Sequence, residues 1–413
     1  MTNPFTWVFL AALAAATAVR YWLARRQIHH VRAHRDAVPQ TFATAIPLAA
    51  HQKAADYSVA KTKLGVVELT LAAGGLLLLT LGGVLDWLSG QWSRAFQPGS
   101  LAHGTALIVT VVVLLGALEL PVTVYRTFVV EARFGFNRMT PALFIADLAK
   151  QALLSALLGI PLLVLVLWLM ARMETLWWVY VWLAWTGFNL LVLLIYPTFI
   201  APLFNKFSPL HDPGLEERIK ALLGRCGFRS SGLFVMDGSR RSSHGNAYFT
   251  GFGGAKRIVL FDTLLARLAP PEVEAVLAHE LGHYKRHHVW KRVVLLFVVS
   301  LGLLWVLSRV IDQDWFYAGL NVSAREDATG LLLFVLVMPI FTFFLHPITS
   351  LYSRKHEFEA DAYAAAHASA AELVKALVKL YQDNAATLTP DPLHSAFYDS
   401  HPPAATRIAR LQS

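Results

Sequence analysis

Charge is scarce in this chain. Only 15% of its 413 residues are Asp, Glu, Lys or Arg, against 56% apolar and 12% aromatic residues, whereas soluble chains carry about 25% charged residues. That poverty excludes an ordinary water-soluble enzyme, and the wealth of aromatics excludes an intrinsically disordered protein. Cysteine is almost missing. Cys226 stands alone, so no internal disulfide framework is available and a metal site has only His and carboxylates to draw on. Collagen-like and solenoid periodicities are lacking as well. What the chain has instead is uncharged length. Seven stretches approach the roughly 20 apolar residues that cross a bilayer: Phe5–Leu23, Leu64–Leu85, Gly104–Tyr125, Ala152–Met170, Leu176–Tyr196, Val289–Val310 and Thr329–Thr349.

An odd number of spans puts the two termini on opposite sides. The first run lacks a basic start and a small-residue cleavage site and is followed by Arg20, Arg25 and Arg26, which predicts an uncleaved anchor with its N-terminus outside. With that orientation 32 of the 36 Lys and Arg lie inside, leaving Arg94, Arg172, Arg309 and Arg325 outside. The formal charge of +9 is then a positive-inside bias rather than a nucleic-acid footprint, and no nucleic-acid partner is expected. The expected location is an integral membrane position, the plasma (inner) membrane in a bacterium, with the lipid bilayer as one partner.

Four regions follow: five spans with their loops over 1–196, a mixed segment over 197–288, two spans over 289–350 and a C-terminal segment over 351–413. The mixed segment reads as α+β, with a helical period at Gly214–Leu223, an apolar run Leu233–Met236, and a hairpin of Ala247–Phe252 and Arg257–Phe261 around Gly253 and Gly254. The last segment reads as helical from Ser353 and loop-like through Pro390, Pro392, Pro402 and Pro403. Both segments are expected on the cytoplasmic side.

Within the mixed segment stands His279-Glu280-Leu281-Gly282-His283. Pro270 and Pro271 open a helix, Glu272 and Glu274 suit its positive first turn, and Val273, Val276, Leu277 and Leu281 follow helical spacing. Histidines four apart share one helix face and can share one metal, and Glu280 between them can address a water on it. A catalytic zinc needs a third protein ligand. The motif helix is expected to run straight into the sixth span. The seventh, its antiparallel neighbour, leads back into Ser353–Ala362, which brings Glu357 and Asp361 to the height of the histidines. Spacing leaves open which carboxylate binds metal. We assign Glu357 as ligand and Asp361 as the outer acceptor that fixes a ligand histidine's tautomer; Glu359 is read as a solvated helix face, and His287 and His288 as interfacial structure.

The chain resembles the integral-membrane zinc CAAX prenyl endopeptidases, which are related to the heat-shock membrane metalloproteases. Besides the zinc motif it shares Glu131–Asn137, Pro202–Phe207, Asp237–Phe249, Arg257–Leu265, Glu357–Asp361, and Ser400-His401-Pro402-Pro403 followed by Arg407-Ile408. The resemblance implies a mainly α membrane protein, seven helices around an internal chamber, closed at its cytoplasmic end by an α+β zinc protease domain with one Zn2+ per chain. It implies Glu357 as third ligand and an edge strand over Asn246–Phe249 along which the scissile peptide lies, with Asn246, Ala247 and Tyr248 as substrate-binding residues and Asn246 holding the peptide backbone. His401 is read as an oxyanion donor or a loop-packing residue, and Arg407 as an oxyanion or Asp-pairing residue or as surface charge. Glu68 and Glu119 either face the chamber or pair structurally. The chain stops at Ser413, soon after its final helix, so no eukaryotic-style C-terminal retrieval signal is expected.

The expected function is a membrane zinc metalloendopeptidase acting on a prenylated protein or peptide at the cytoplasmic membrane face. General quality-control proteolysis of membrane proteins or signal peptides is the alternative. A zinc transporter would carry its ligands inside the spans, and a scaffold would have no use for Glu280.

Overall fold

Seven helices of the computed structural model, which describes residues 3–251 and 257–412, are long and apolar enough to cross a membrane. They are Pro4–Ala33, Leu48–Leu79, Leu101–Glu131, Pro141–Arg172, Glu174–Phe204, His288–Val310 and Asp327–His367. Most outrun the apolar windows read from sequence, because a helix continues where its residues leave lipid. The second starts at Leu48 and stops at Leu79, before a turn in which Gly83 takes φ +73°. The seventh does not end at the membrane. It passes from Asp327–Thr342 through a 3-10 turn, Phe343–Leu345, into His346–His367. Pro339 and Pro347, each lacking an N–H, fit this irregular passage.

Besides two smaller buried clusters at the domain end, around Tyr57 and Val122 and around Val31 and Val59, the spans pack tightly at the end remote from the soluble domain. There Phe9, Leu85, Leu107, Val111, Leu307, Leu320 and Leu333 form one buried cluster. Between these ends the helices part. Val112, Val113, Leu114, Gly116, Ala117, Leu118 and Glu119 of the third span are all exposed, and at 100° per residue they cover the helix on every side. Ala152, Leu153, Ser155, Ala156 and Leu157 of the fourth span repeat the pattern. A solid bundle would cover one face of each helix, so open space lies along their inner sides. The sixth span was expected beside the seventh. It packs along the fifth instead and meets the seventh at its domain end, where Arg292 donates to Ser353 at 3.1 Å. Glu68 pairs with Arg126, and Glu119 is exposed.

The soluble domain carries a four-stranded sheet: β1 (Phe207–Pro209), β2 (Gly232–Met236), β3 (Ala247–Thr250) and β4 (Arg257–Phe261), in the order β1-β2-β4-β3. β3 and β4 pair antiparallel, as the expected hairpin requires, while Phe252, Gly253 and Gly254 lie outside the described residues. β1 was not expected; three residues ending in a proline leave no alternation to read. The C-terminal stretch expected as loop holds the short helices Pro392–Tyr398 and Ala404–Gln412, the first opened by Pro392 with Asp391 capping Leu393 and His394.

Several sequence motifs prove to be the joint between domain and spans. Arg241 makes a two-pronged pair with Asp147 of the fourth span at 2.8 and 3.0 Å and reaches Asn205 at 3.1 Å. Asn137 bridges to Ser242, and Ser243 donates its N–H to Phe136. Tyr57 donates to Glu131 at 2.5 Å, and the Phe136 ring stacks on His244.

Candidate active site

The helix Pro270–Lys285 begins with Glu272 reaching back to the Ala269 N–H at 2.7 Å, and Lys379 holds the same carboxylate at 2.7 Å. These contacts satisfy an open helix end and fix the start. Val273, Leu277 and Leu281 are buried, which sets the helix's rotation. Across it runs the continuation of the seventh span, His346–His367, and the two come into close contact at Gly282. A Cβ there would stand 2.9 Å from the Ala360 Cα and 3.1 Å from its carbonyl oxygen. The bare glycine lets the helices close until their polar faces meet.

Where they meet, His279, His283 and Glu357 present ligand atoms within 4.8 Å of one another. His279 Nε2 and His283 Nε2 are 3.1 Å apart, His283 Nε2 is 3.4 Å from Glu357 Oε1, and His279 Nε2 is 3.5 Å from Glu357 Oε2. Two ligands about 2.0–2.1 Å from one tetrahedral ion stand about 3.3 Å apart, so the three edges suit one small cation. Glu357 Oε2 is buried without a hydrogen-bond partner, a costly state that a cation would relieve. The residues present fit the metal their spacing implies.

Both histidines are held from behind. Asp361 Oδ1 lies 2.8 Å from His279 Nδ1, where it can take the ring proton and leave Nε2 free for metal. Arg407 is buried and grips Asp361 through Nε at 2.9 Å and Nη2 at 2.6 Å, with Nη1 3.8 Å from Glu357; of its expected positions, this is the Asp-pairing one. Burial works against the charge of His279, but Asp361 and Glu357 outweigh it and push its pKa up to about 9. Burial likewise opposes the Arg407 charge, and Asp361 holds it protonated. Burial raises the Glu280 pKa, with Glu357 adding to it against the two histidines. Glu280 has no hydrogen-bond or ion-pair partner among the described residues.

Sequence reading missed what stands behind His283. His288 is buried, with its Nδ1 2.9 Å from His283 Nδ1 and its Nε2 2.9 Å from Glu359 Oε2, and the His356 ring stacks on it at 4.0 Å. Glu359 is therefore not a merely solvated face. The cause is a break in the helix: the motif helix ends at Lys285, and His287 adopts φ +58° before the sixth span starts at His288. A helix run straight through, as expected, would have carried His288 away from His283. A histidine ahead of a span holds no signal for such a turn.

His401 Nε2 lies 3.5 Å from Glu357 Oε2, with the side chain largely exposed and Nδ1 3.0 Å from Ser400 Oγ. β3 is one of the sheet's two edge strands and packs on the motif helix. The Asn246 carbonyl accepts from Phe261 N–H, inside the hairpin; by antiparallel alternation the backbone groups of Ala247 and Phe249 face the open edge. Asn246 Oδ1 accepts from Ala247 N–H at 2.8 Å. Tyr248 is half-buried, its hydroxyl 3.9 Å from the Met236 sulfur.

Comparison with known proteins accords with this geometry. The family described as "CAAX prenyl protease N-terminal, five membrane helices" matches residues 27–206, and "Peptidase family M48" matches residues 209–413. A CAAX prenyl protease 1 homolog of Arabidopsis thaliana is 33% identical over 388 residues, 91% of this chain and 90% of that one. The chain belongs to peptidase family M48. CAAX prenyl protease 1 of Saccharomyces cerevisiae is 37% identical over 313 residues, 71% of this chain and 68% of that one. The crystal structure of S. mikatae Ste24p superposes with a TM-score of 0.92 at 29% identity, covering 100% of both chains. This M48 member is thus an integral membrane metalloendopeptidase with the Ste24p-like fold, five membrane helices preceding the peptidase region.

Proposed function

We propose that this M48 peptidase is a zinc enzyme that removes the C-terminal tripeptide of prenylated CAAX proteins, or cuts similar peptides beside a lipid group, at the cytoplasmic membrane face. The observation that carries the chemistry is the tetrahedral-edge spacing of His279, His283 and Glu357 beside an unpartnered Glu280. Two histidines and a carboxylate with one position left for water are a catalytic zinc donor set. Bound there, the ion would supply Lewis acidity toward the scissile carbonyl and the attacking water. Glu280 takes the water's proton on its carboxylate and passes it to the departing amide nitrogen. Its burial-raised pKa suits a group that must hold that proton between the two events. Asp361, itself steadied by Arg407, keeps His279 Nδ1 protonated, and His288 with Glu359 does the same for His283.

The peptide adds as a strand along β3, using the outward backbone groups of Ala247 and Phe249. The Asn246 amide now occupies the Ala247 N–H and swings to the peptide backbone when substrate takes that place. His401, exposed above Glu357, is placed to donate to the carbonyl oxygen as charge develops on it. The prenyl group lodges in the open space between the spans, whose walls are apolar. The names of the relatives favour this substrate over general quality control. The cytoplasmic orientation rests on the 32 basic residues of the domain side, and in a bacterium the membrane is the inner one.

Matched peptides with and without a farnesyl group on the cysteine of a CAAX end, assayed in vesicles, test the substrate. We expect kcat/KM to rise at least about tenfold with the lipid, since burying even two CH2 groups contributes that much. Equal values would leave a membrane endopeptidase without lipid recognition.

A further inference from the structure

On the far side of the seventh helix from the metal donors lies an open cleft of about 1120 Å3. Glu357 and Asp361 face the histidines, whereas Arg354, Lys355 and Phe358 form the opposite stripe and line this cleft. Arg286, Lys291 and Arg410 complete its basic wall, and Glu359, its one carboxylate among the described residues, is already engaged by His288 at 2.9 Å. We propose that this cleft binds the phosphate-bearing headgroup of an anionic phospholipid.

Three observations point to that occupant. First, the wall keeps a net positive charge, since Glu359, close to Lys291 and Lys355, is one carboxylate against several cations. Arg286, Lys291 and Lys355 have no ion pair among the described residues. Arg354 is locked by neutral acceptors, with Nε on the Asp399 carbonyl at 3.2 Å and Nη2 on Ser395 Oγ at 2.9 Å and on the Ser395 carbonyl. Its orientation is fixed while its charge is left for something else, a pre-organised anion donor. The Arg410 guanidinium lies over the Phe358 ring, 4.5 Å from its centroid.

Second, the cleft stands at the level where exposed apolar surface gives way to charge on two helices. On the sixth span Trp290 and Lys291 stand just ahead of the exposed apolar run of Val294, Leu295 and Leu296; on the seventh, Leu351 is 61% exposed just before Arg354 and Lys355. Cations beginning beside exposed Trp and Leu mark a membrane–water boundary. Third, a soluble anion would satisfy the cations and leave the exposed Leu351 of the cleft wall bare, whereas a phospholipid matches both, phosphate to the basic wall and acyl chain to the apolar foot.

The test uses the full-length, metal-loaded protein in neutral detergent, titrated with short-chain phosphatidylglycerol, short-chain phosphatidylcholine and inorganic phosphate, with bound lipid counted by native mass spectrometry. We expect the glycerol lipid to bind at least about tenfold more tightly than the choline lipid, and millimolar phosphate not to displace it. Lys291→Gln combined with Lys355→Gln should reduce that preference by about thirtyfold or abolish it, two juxtamembrane lysines each contributing about fivefold. Lys220→Gln combined with Lys375→Gln, an equal charge change at exposed helix pairs in the soluble domain, should leave it intact. Equal binding of the two lipids, a preference that survives the Lys291 and Lys355 changes, loss of preference in the Lys220 and Lys375 control, or displacement by phosphate would each overturn the proposal.

Discussion

Gly282 and Ala360 touch where the motif helix crosses the ligand helix, and a Cβ at 282 would stand 2.9 Å from the Ala360 Cα. Backbone cannot yield as the tip of a side chain can. Gly282→Ala must separate the helices that carry His279, His283 and Glu357. Overpacking of this kind costs about 1–3 kcal/mol, and the same movement widens the ligand triangle. We predict a lower Tm together with substoichiometric zinc, read by thermal melts and metal analysis of purified protein; normal values of both would show the crossing to be looser than described.

His288→Ala removes the partner of His283 Nδ1 without touching a metal donor. Loss of such outer partners typically weakens metal binding 10–100-fold, and a chelator competition should find a drop in that range, with Glu359→Gln giving a smaller one. Unchanged affinity in both variants would reduce His288 to packing.

The raised pKa of His279 gives two pH effects of opposite sign. Folding lifts the ring from its ordinary 6.5 to about 9, so in the metal-free protein its stabilising contribution is full below pH 6.5 and disappears as pH climbs through about 9. Metal requires the neutral ring, so zinc affinity should instead rise with pH over that window, and zinc binding near pH 7.5 should release a proton from this site. Calorimetry in buffers of different ionisation enthalpy measures the release; none at pH 7.5 would contradict the charge pairing of His279 with Asp361 and Glu357.

Arg407→Ala leaves Asp361 buried beside Glu357 without its guanidinium. Breaking a buried pair in this way costs about 3–5 kcal/mol, and we predict a strongly lowered Tm, with Arg407→Lys recovering part of it through a single contact in place of two. A surface role for Arg407 predicts no change in either.

The legible parts of this protein were those written in local pattern. Seven apolar runs announce seven spans, and His279, Glu280 and His283 share a helix whose face the periodicity of Val273, Leu277 and Leu281 already sets. That a carboxylate of Glu357–Asp361 would meet the two histidines was readable because this segment follows a span that returns to the same side, whereas spacing did not choose between Glu357 and Asp361. Features made by breaks in regular structure were not readable. One left-handed residue, His287, turns His288 back onto His283, and nothing in its neighbours' hydropathy announces this. The parting of the spans was hidden as well, since a lumen-facing apolar residue and a lipid-facing one look alike in sequence. The joint made by Arg241, Asp147 and Asn205 joins residues far apart in the chain, which no local period records.

Glu280→Gln tests the central claim most directly, because it removes the base while keeping the size and helix position of the side chain. General acid–base catalysis contributes about 10²–10⁴-fold. Zinc content and single-turnover cleavage of a farnesylated CAAX peptide, measured on the same preparation, should show one zinc per chain retained and cleavage reduced by at least about 100-fold. Near-normal cleavage with zinc in place would contradict the account of Glu280 as the proton carrier.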